Sequence, residues 1–263
     1  MLAQRIAVHH VEDGPRDGPP VVLSHPLGTD LRVWHPNVSR LAQHLRVIRY
    51  DHRGHGASPV PSGPYTIGHL GGDVLDLLDH LGITRTSFVG TSLGGMVGMW
   101  LAANAPERID RLAVLSPSAW LGDPEVWHDR AAIVRANGTV SVAEGTAHRW
   151  VSARYVRSHP DVVARLIARF VGTADEGYAA TCAALAEMDL RPDLGRISAP
   201  TLVIAGSNDA HIPLTHAETV AAAIPGARYK VFEGAGHFVA LERPDEVTSL
   251  LEDHLFPVPI RAT

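Results

Sequence analysis

The sequence predicts an α/β protein: a mostly parallel sheet with helices on both faces, interrupted by one all-helical insertion. Three observations predict it. Apolar runs of strand length alternate with longer helical patterns up to about residue 118 and again after about residue 195, the rhythm of parallel strands joined by right-handed crossovers. Between residues 119 and 194 the helical patterns continue but strand patterns stop. At the centre, Gly90-Thr91-Ser92-Leu93-Gly94 joins a strand end, Ser87-Phe88-Val89, directly to the apolar stretch Met96 to Ala105.

Taken in order, the chain opens with strand, turn, strand. Ile6 to Val11 and Pro20 to Ser24 bracket a turn-rich segment running from Glu12 to Pro19. Val21-Val22-Leu23 has no polar alternation and reads as a strand covered on both faces. Thr29 or Asp30 can cap a helix from Val33 to Leu45, and Arg46 to Tyr50 is the next strand. The glycine-containing loop from Asp51 to Ser58 follows it. Asp73, Val74, Leu77, Leu78 and Leu81 carry helical spacing over Ile67 to Leu81, ended by Gly82. After the central strand and helix, Leu112 to Leu115 is a strand. The insertion then offers helices at Val126 to Ala136, Val142 to Tyr155, Asp161 to Val171 and Asp175 to Met188. Strands resume at Pro200 to Gly206 and Ala227 to Phe232, with helices at Thr215 to Ile224 and Pro244 to Leu255. Residues 1–118 and 195–263 are therefore expected to form the core, and residues 119–194 a helical cap over the strand C-termini, where ligands bind in such folds.

Composition narrows the function classes. With 263 residues, 45% hydrophobic and 19% charged, the chain can bury a substantial core and is not of disordered type. A net charge of −5 gives no reason to expect nucleic acid or an anionic membrane as partner. Cys182 is the one cysteine, so no intrachain disulfide can form. Met1 to Arg5 lacks the apolar run of a signal peptide and no later run is long enough to span a bilayer, so the expected location is the cytoplasm. The sixteen histidines are scattered, without metal-ligand spacing, and neither a metal nor an organic cofactor is expected.

Gly90 to Gly94 has the G-x-S-x-G spacing of a nucleophile elbow. A strand turning at once into a helix throws the middle residue outward on a strained backbone, and a Cβ two places either side would collide with neighbouring backbone. It also sets Ser92 at a helix N-terminus, where free N–H groups favour developing negative charge. A serine hydroxyl is a poor nucleophile near neutral pH and needs a base, itself oriented by a carboxylate. Asp209 and His237 each follow a strand, in the chain order serine, acid, histidine. Asp189, Asp193 and Glu233 are rival acids, but none follows a strand at the right place. Backbone N–H groups of Leu93 and Leu27 are the expected oxyanion donors, with Leu27 on the loop after the Val21 strand. Pro26 has no N–H to give, and His25 either lines the pocket or braces this loop.

Several stretches beyond the elbow carry a resemblance. They are Ser24 to Leu31, Arg49 to Gly56, Pro64 to Ile67, Ala105 to Arg108, Glu176 to Ala179 and Met188 to Arg191. On these the chain resembles the α/β-hydrolase fold family, and within it is similar to the 3-oxoadipate enol-lactonases of the β-ketoadipate pathway. His25-Pro26 and Phe238-Val239-Ala240 depart from the usual lactonase pattern. The resemblance implies a mostly parallel eight-stranded sheet and an acyl-enzyme that opens 4-oxoadipate enol-lactone to 3-oxoadipate. The substrate is then a small anionic ester or lactone, for which Arg130 and Trp150 of the insertion are candidate contacts. A carboxylesterase, perhydrolase or carbon–carbon hydrolase would use the same three residues. A non-catalytic ligand receptor is the alternative of another class.

Overall fold

A computed structural model of the chain describes residues 5–256; Met1 to Gln4, part of the stretch read for a signal peptide, lie outside them. The strands are β1 (His10–Asp13), β2 (Pro20–Ser24), β3 (Arg46–Tyr50), β4 (Thr86–Thr91), β5 (Ile109–Leu115), β6 (Thr201–Gly206) and β7 (Arg228–Phe232). They form one sheet in the order β1-β3-β2-β4-β5-β6-β7, parallel except for β1. Seven strands, not eight, make up the sheet among the described residues, matching the seven apolar runs legible in the sequence itself. Neighbouring residues of a strand point to opposite faces, and β4 is buried at every position, so both faces of the sheet centre are covered.

β1 begins four residues later than its apolar pattern suggested. Glu12 and Asp13, which read as turn residues, belong to the ladder opposite Ile48 and Val47, and their carboxylates are met by arginines two places along β3; Arg46 Nε donates to Glu12 at 2.6 Å and Arg49 Nη2 to Asp13 at 2.7 Å. From β2 the chain steps to β3 on one side and later returns to β4 on the other. The reversal places a crevice between the C-terminal ends of β2 and β4, the usual ligand position in an open α/β sheet.

The core helices flanking these strands are α1 (His35–Leu41), α2 (Ile67–His80) and α3 (Leu93–Asn104). The expected Val33 to Leu45 helix is shorter, because residues Leu31–Trp34 wind as a 3-10 turn under the Asp30 cap and leave α1 seven residues. Between β5 and β6 come α4 (Pro124–Asn137), α5 (Val140–Trp150), α6 (Ala153–Ser158), α7 (Pro160–Val171) and α8 (Asp175–Ala186), with no strand among them. The two ends of this insertion meet: Leu190 N–H donates to the Ala119 carbonyl at 2.8 Å, and Trp120 bridges Asp189. Helices α9 (Leu214–Ala223), α10 (Val239–Glu242) and α11 (Pro244–Leu255) complete the chain.

The Val142 to Tyr155 pattern is broken into α5 and α6 by contacts that no local pattern encodes. Phe238 N–H donates to the Trp150 carbonyl at 2.7 Å, and Glu242 accepts from Ser152 N–H at 2.7 Å and Ser152 Oγ at 2.6 Å. Val151 is pulled into extended conformation, and Ser152 starts a new helix by accepting from Tyr155 N–H. No helix of the described residues is long and apolar enough to cross a membrane.

Candidate active site

Ser92 stands between β4 and α3 with φ 53° and ψ −117°, a backbone conformation that costs on the order of 1–3 kcal/mol and is held by what surrounds it. Its N–H donates to the Leu115 carbonyl on β5 at 2.8 Å. The two glycines of the motif are sterically required. A Cβ on Gly90 would lie 2.2 Å from the Gly94 backbone, and one on Gly94 would lie 2.3 Å from the Ser24 carbonyl oxygen. That second contact brings the N-terminus of α3 against the end of β2, so the Leu93 amide and the Ser24 to Thr29 loop share one crevice.

Asp209 follows β6, and His237 follows β7. They meet because the end of β6 runs against the histidine loop: a Cβ on Gly206 would lie 2.3 Å from the carbonyl oxygens of Ala235 and Gly236. Asp209 Oδ2 and His237 Nδ1 are 2.7 Å apart, both side chains nearly inaccessible to solvent. The other oxygen, Oδ1, accepts from the amides of His211 at 2.8 Å and Ile212 at 2.9 Å. Burial, the largest single influence, pushes the Asp209 pKa up, but the His237 charge, its hydrogen bond and the two amides outweigh it. The carboxyl is held below its ordinary value. A carboxylate on Nδ1 makes that nitrogen the N–H donor and leaves the lone pair on Nε2. His237 Nε2 is buried and has no hydrogen-bond partner among the described residues.

The rival acids lie elsewhere. Asp189 is paired with Arg191 and Asp193 with Arg196, while Glu233 is exposed. The amides of Leu27 and Leu93 donate to no acceptor among the described residues, whereas the next amide of the loop, Gly28 N–H, donates to His55 Nε2 at 3.1 Å. His25 is fully buried and braces the loop, its Nδ1 bonded to the Pro26 carbonyl and its Nε2 accepting from His52 N–H of the neighbouring loop.

Two residues of this neighbourhood carried no sequence signal. Ser116, with φ 47°, follows β5, and its Oγ donates to the His237 carbonyl at 2.8 Å. His211 sets its ring edge-on to that of His237, centroids 4.9 Å apart. Burial, then the His237 charge, drive the His211 pKa down to about 3, so the imidazole facing His237 is neutral near pH 7.

His211 also opens onto a cleft of about 290 Å³ lined by Trp127, Arg130, Arg149, Ile212 and His216 among others. Arg130 Nε donates to Tyr178 Oη at 2.7 Å and Nη2 to Thr146 Oγ1, which holds its guanidinium carbon 5.6 Å from the centre of the Tyr178 ring. Arg149 is exposed and has no ion-pair partner among the described residues. Trp150 is placed away from this cleft: it is 2% exposed and stacked on Phe238 at 4.8 Å, because its backbone is tied to the histidine loop. The indole in the cleft is Trp127. Hollows of about 600 Å³ beside Glu233 and about 400 Å³ beside Asp30 are larger; none of the three is lined by Ser92, Asp209 or His237, and the 290 Å³ cleft is the one that His211, ring-to-ring with His237, borders. No group of three or more metal-ligating side chains is present among the described residues.

The sequence profile of the α/β-hydrolase fold matches residues 19–244. The chain belongs to that family of enzymes. This hydrolase is 38% identical to 3-oxoadipate enol-lactonase 2 of Acinetobacter baylyi, over 96% of its own length and 94% of the relative's. Among solved structures it is similar to the enol-lactonase from Burkholderia xenovorans, with 44% identity and a TM-score of 0.92 over 94% of this chain and 96% of that one. A thermophilic esterase from Thermogutta terrifontis, solved with malate bound, is 31% identical, with a TM-score of 0.89 over 94% of this hydrolase and 92% of the esterase.

Proposed function

We propose that this hydrolase is a serine enzyme that opens an anionic enol-lactone through an acyl-enzyme, as the enol-lactonase names of its relatives suggest. The observation that carries the reading is the buried His237 imidazole. Asp209 occupies its Nδ1 at 2.7 Å and its Nε2 is left without a partner, while Ser92 stands on a strained turn at the end of β4; in this reading Ser92 Oγ comes within hydrogen-bond reach of Nε2 when substrate binds. Ser92 Oγ attacks the ring carbonyl as His237 Nε2 takes its proton, and Asp209 steadies the imidazolium. The carbonyl oxygen becomes an oxyanion held by the Leu27 and Leu93 amides. Collapse breaks the ring C–O bond. The enolate that leaves takes the proton from His237 and ketonises, which pulls the reaction forward. His237 then deprotonates water, which attacks the acyl carbon and frees Ser92 and the carboxylate product.

In this reading residues 119–194 are a cap over the site, and the cleft beside His211 receives the free carboxylate of the substrate. Arg130 and Arg149 supply the cation and Trp127 the apolar wall. A carboxylate brought out of water needs such a donor. No metal or organic cofactor takes part in these steps, and the enzyme acts on a small molecule in the cytoplasm. The test is turnover of an enol-lactone and of a chromogenic short-chain ester by the wild type and by Ser92→Ala. The variant should keep the fold and lose about four orders of magnitude in rate. Activity within tenfold of wild type would remove Ser92 as nucleophile.

A further inference from the structure

We infer that His25 and Thr29 are positioning residues that aim the Leu27 amide at the reacting oxygen, by clamping the carbonyl of the same peptide unit. The inference rests on the hydrolase reading above and adds to it the device that orients one of its two oxyanion donors.

A peptide unit is planar, with its C=O and N–H pointing in opposite directions. The N–H of Leu27 therefore points away from whatever holds the C=O of Pro26. Two side-chain donors hold that carbonyl: His25 Nδ1 at 2.8 Å and Thr29 Oγ1 at 2.8 Å. The His25 tautomer is fixed by a backbone group. His52 N–H donates to His25 Nε2 at 3.0 Å, so Nε2 must carry the lone pair and Nδ1 the hydrogen. Thr29 spends its hydroxyl hydrogen on Pro26, leaving Oγ1 as a second acceptor for the same Nδ1–H at 3.3 Å.

The rest of the loop is fixed the same way. His52 Nε2 lies 3.0 Å from the His25 carbonyl and donates to it. His55 Nδ1–H donates to the Arg53 carbonyl at 3.1 Å, so its Nε2 is free to accept from Gly28 N–H. Gly28 N–H is thereby directed away from the crevice, and Leu27 N–H is left as the loop's donor. The three imidazoles are fully buried, which holds His25 down to about 4 and His55 to about 3 and keeps both neutral. Pro26 contributes a fixed φ and no competing N–H.

The test compares His25→Ala, Thr29→Val and His25→Asn with wild type. The readouts are turnover of p-nitrophenyl acetate, inhibition by phenylboronic acid, whose serine adduct is a tetrahedral anion, and thermal unfolding. The asparagine Nδ2 sits at the same branch position as the histidine Nδ1 and keeps the donor to Pro26, while losing the acceptor for His52. His25→Ala and Thr29→Val should lower kcat roughly ten- to a hundredfold, short of the about 10²–10³ that deleting a donor costs. KM should stay within about twofold, and the boronate should bind more weakly by the same factor as kcat falls. His25→Asn should melt earlier, yet keep kcat within about threefold of wild type. Wild-type kcat in both His25→Ala and Thr29→Val, losses confined to KM, or His25→Asn falling as far as His25→Ala would overturn the clamp. Thr29→Val is nearly isosteric and decides the matter should His25→Ala fail to fold. Turnover by Ser92→Ala equal to wild type would instead bring down the hydrolase reading, and the clamp with it.

Discussion

His237 and His211 are both loop histidines, their rings 4.9 Å apart, yet only His237 was legible in the sequence. His237 could be read because it follows a strand and completes an ordered set with Ser92 and Asp209. His211 and Ser116 stand at positions that any loop residue can occupy, and they reach the site only through the packing of β5, β6 and the histidine loop. The acid has a sharp test. Asp209 spends one oxygen on His237 and the other on two amides, so Asp209→Asn keeps the shape but loses the charge and allows the wrong imidazole tautomer. A loss of about 10⁴ in kcat is expected. Glu233→Gln, on an exposed side chain, should leave kcat at the wild-type level. Steady-state kinetics on the two variants checks this, and an exchange of the two outcomes would reassign the acid.

At the scale of elements, the parallel strands and the all-helical insertion were legible because their apolar periodicities are local. The break between α5 and α6 was not. It is made by Glu242 and Phe238, some ninety residues away in sequence, which bond to Ser152 and Trp150. The same tie explains why Trp150 packs on Phe238 while Trp127 faces the cleft. It also leaves Arg149, the residue before Trp150, exposed at the end of α5 with no hydrogen-bond or ion-pair partner among the described residues, whereas Arg130 already serves Tyr178 and Thr146. Arg149→Ala should therefore raise KM for an anionic lactone by about 1.5–3 kcal/mol, the worth of a hydrogen bond to a charged group, and barely change KM for a neutral ester. Parallel kinetics on the two substrates measures this. Equal effects on both would take Arg149 out of substrate recognition.

At the scale of the whole molecule, the core carries several imidazoles that folding keeps neutral. Burial, above all, lowers His25 and His254 to about 4 and His55 and His211 to about 3. In the unfolded chain each would titrate near 6.5. Between those values the unfolded state binds protons that the folded state refuses, so stability is full above about pH 6.5 and is lost as pH falls toward 4. Each group contributes a slope of about 1.4 kcal/mol per pH unit in that window. Melting temperature should accordingly drop steeply from pH 7 to pH 4.5. His254 is remote from the site and donates to the Leu112 carbonyl at 3.0 Å, and His254→Gln should flatten the slope by one group's share. An unchanged slope would mean that His254 is not among the groups responsible. The sheet itself was legible at this scale, down to the seven apolar runs that the expected eighth strand exceeded. The reversal of strand order between β2 and β4 was not, since no single run encodes its neighbour. That reversal brings the Leu27 loop and Ser92 to one crevice, and the chemistry assigned to it is open to direct observation. Rapid quenching of the enzyme during turnover of p-nitrophenyl acetate, followed by intact and peptide mass spectrometry, should find one acetyl group per chain, on the peptide containing Ser92 and absent from Ser92→Ala. Hydrolysis proceeding at full rate with no adduct, or with the adduct on another residue, would contradict the account.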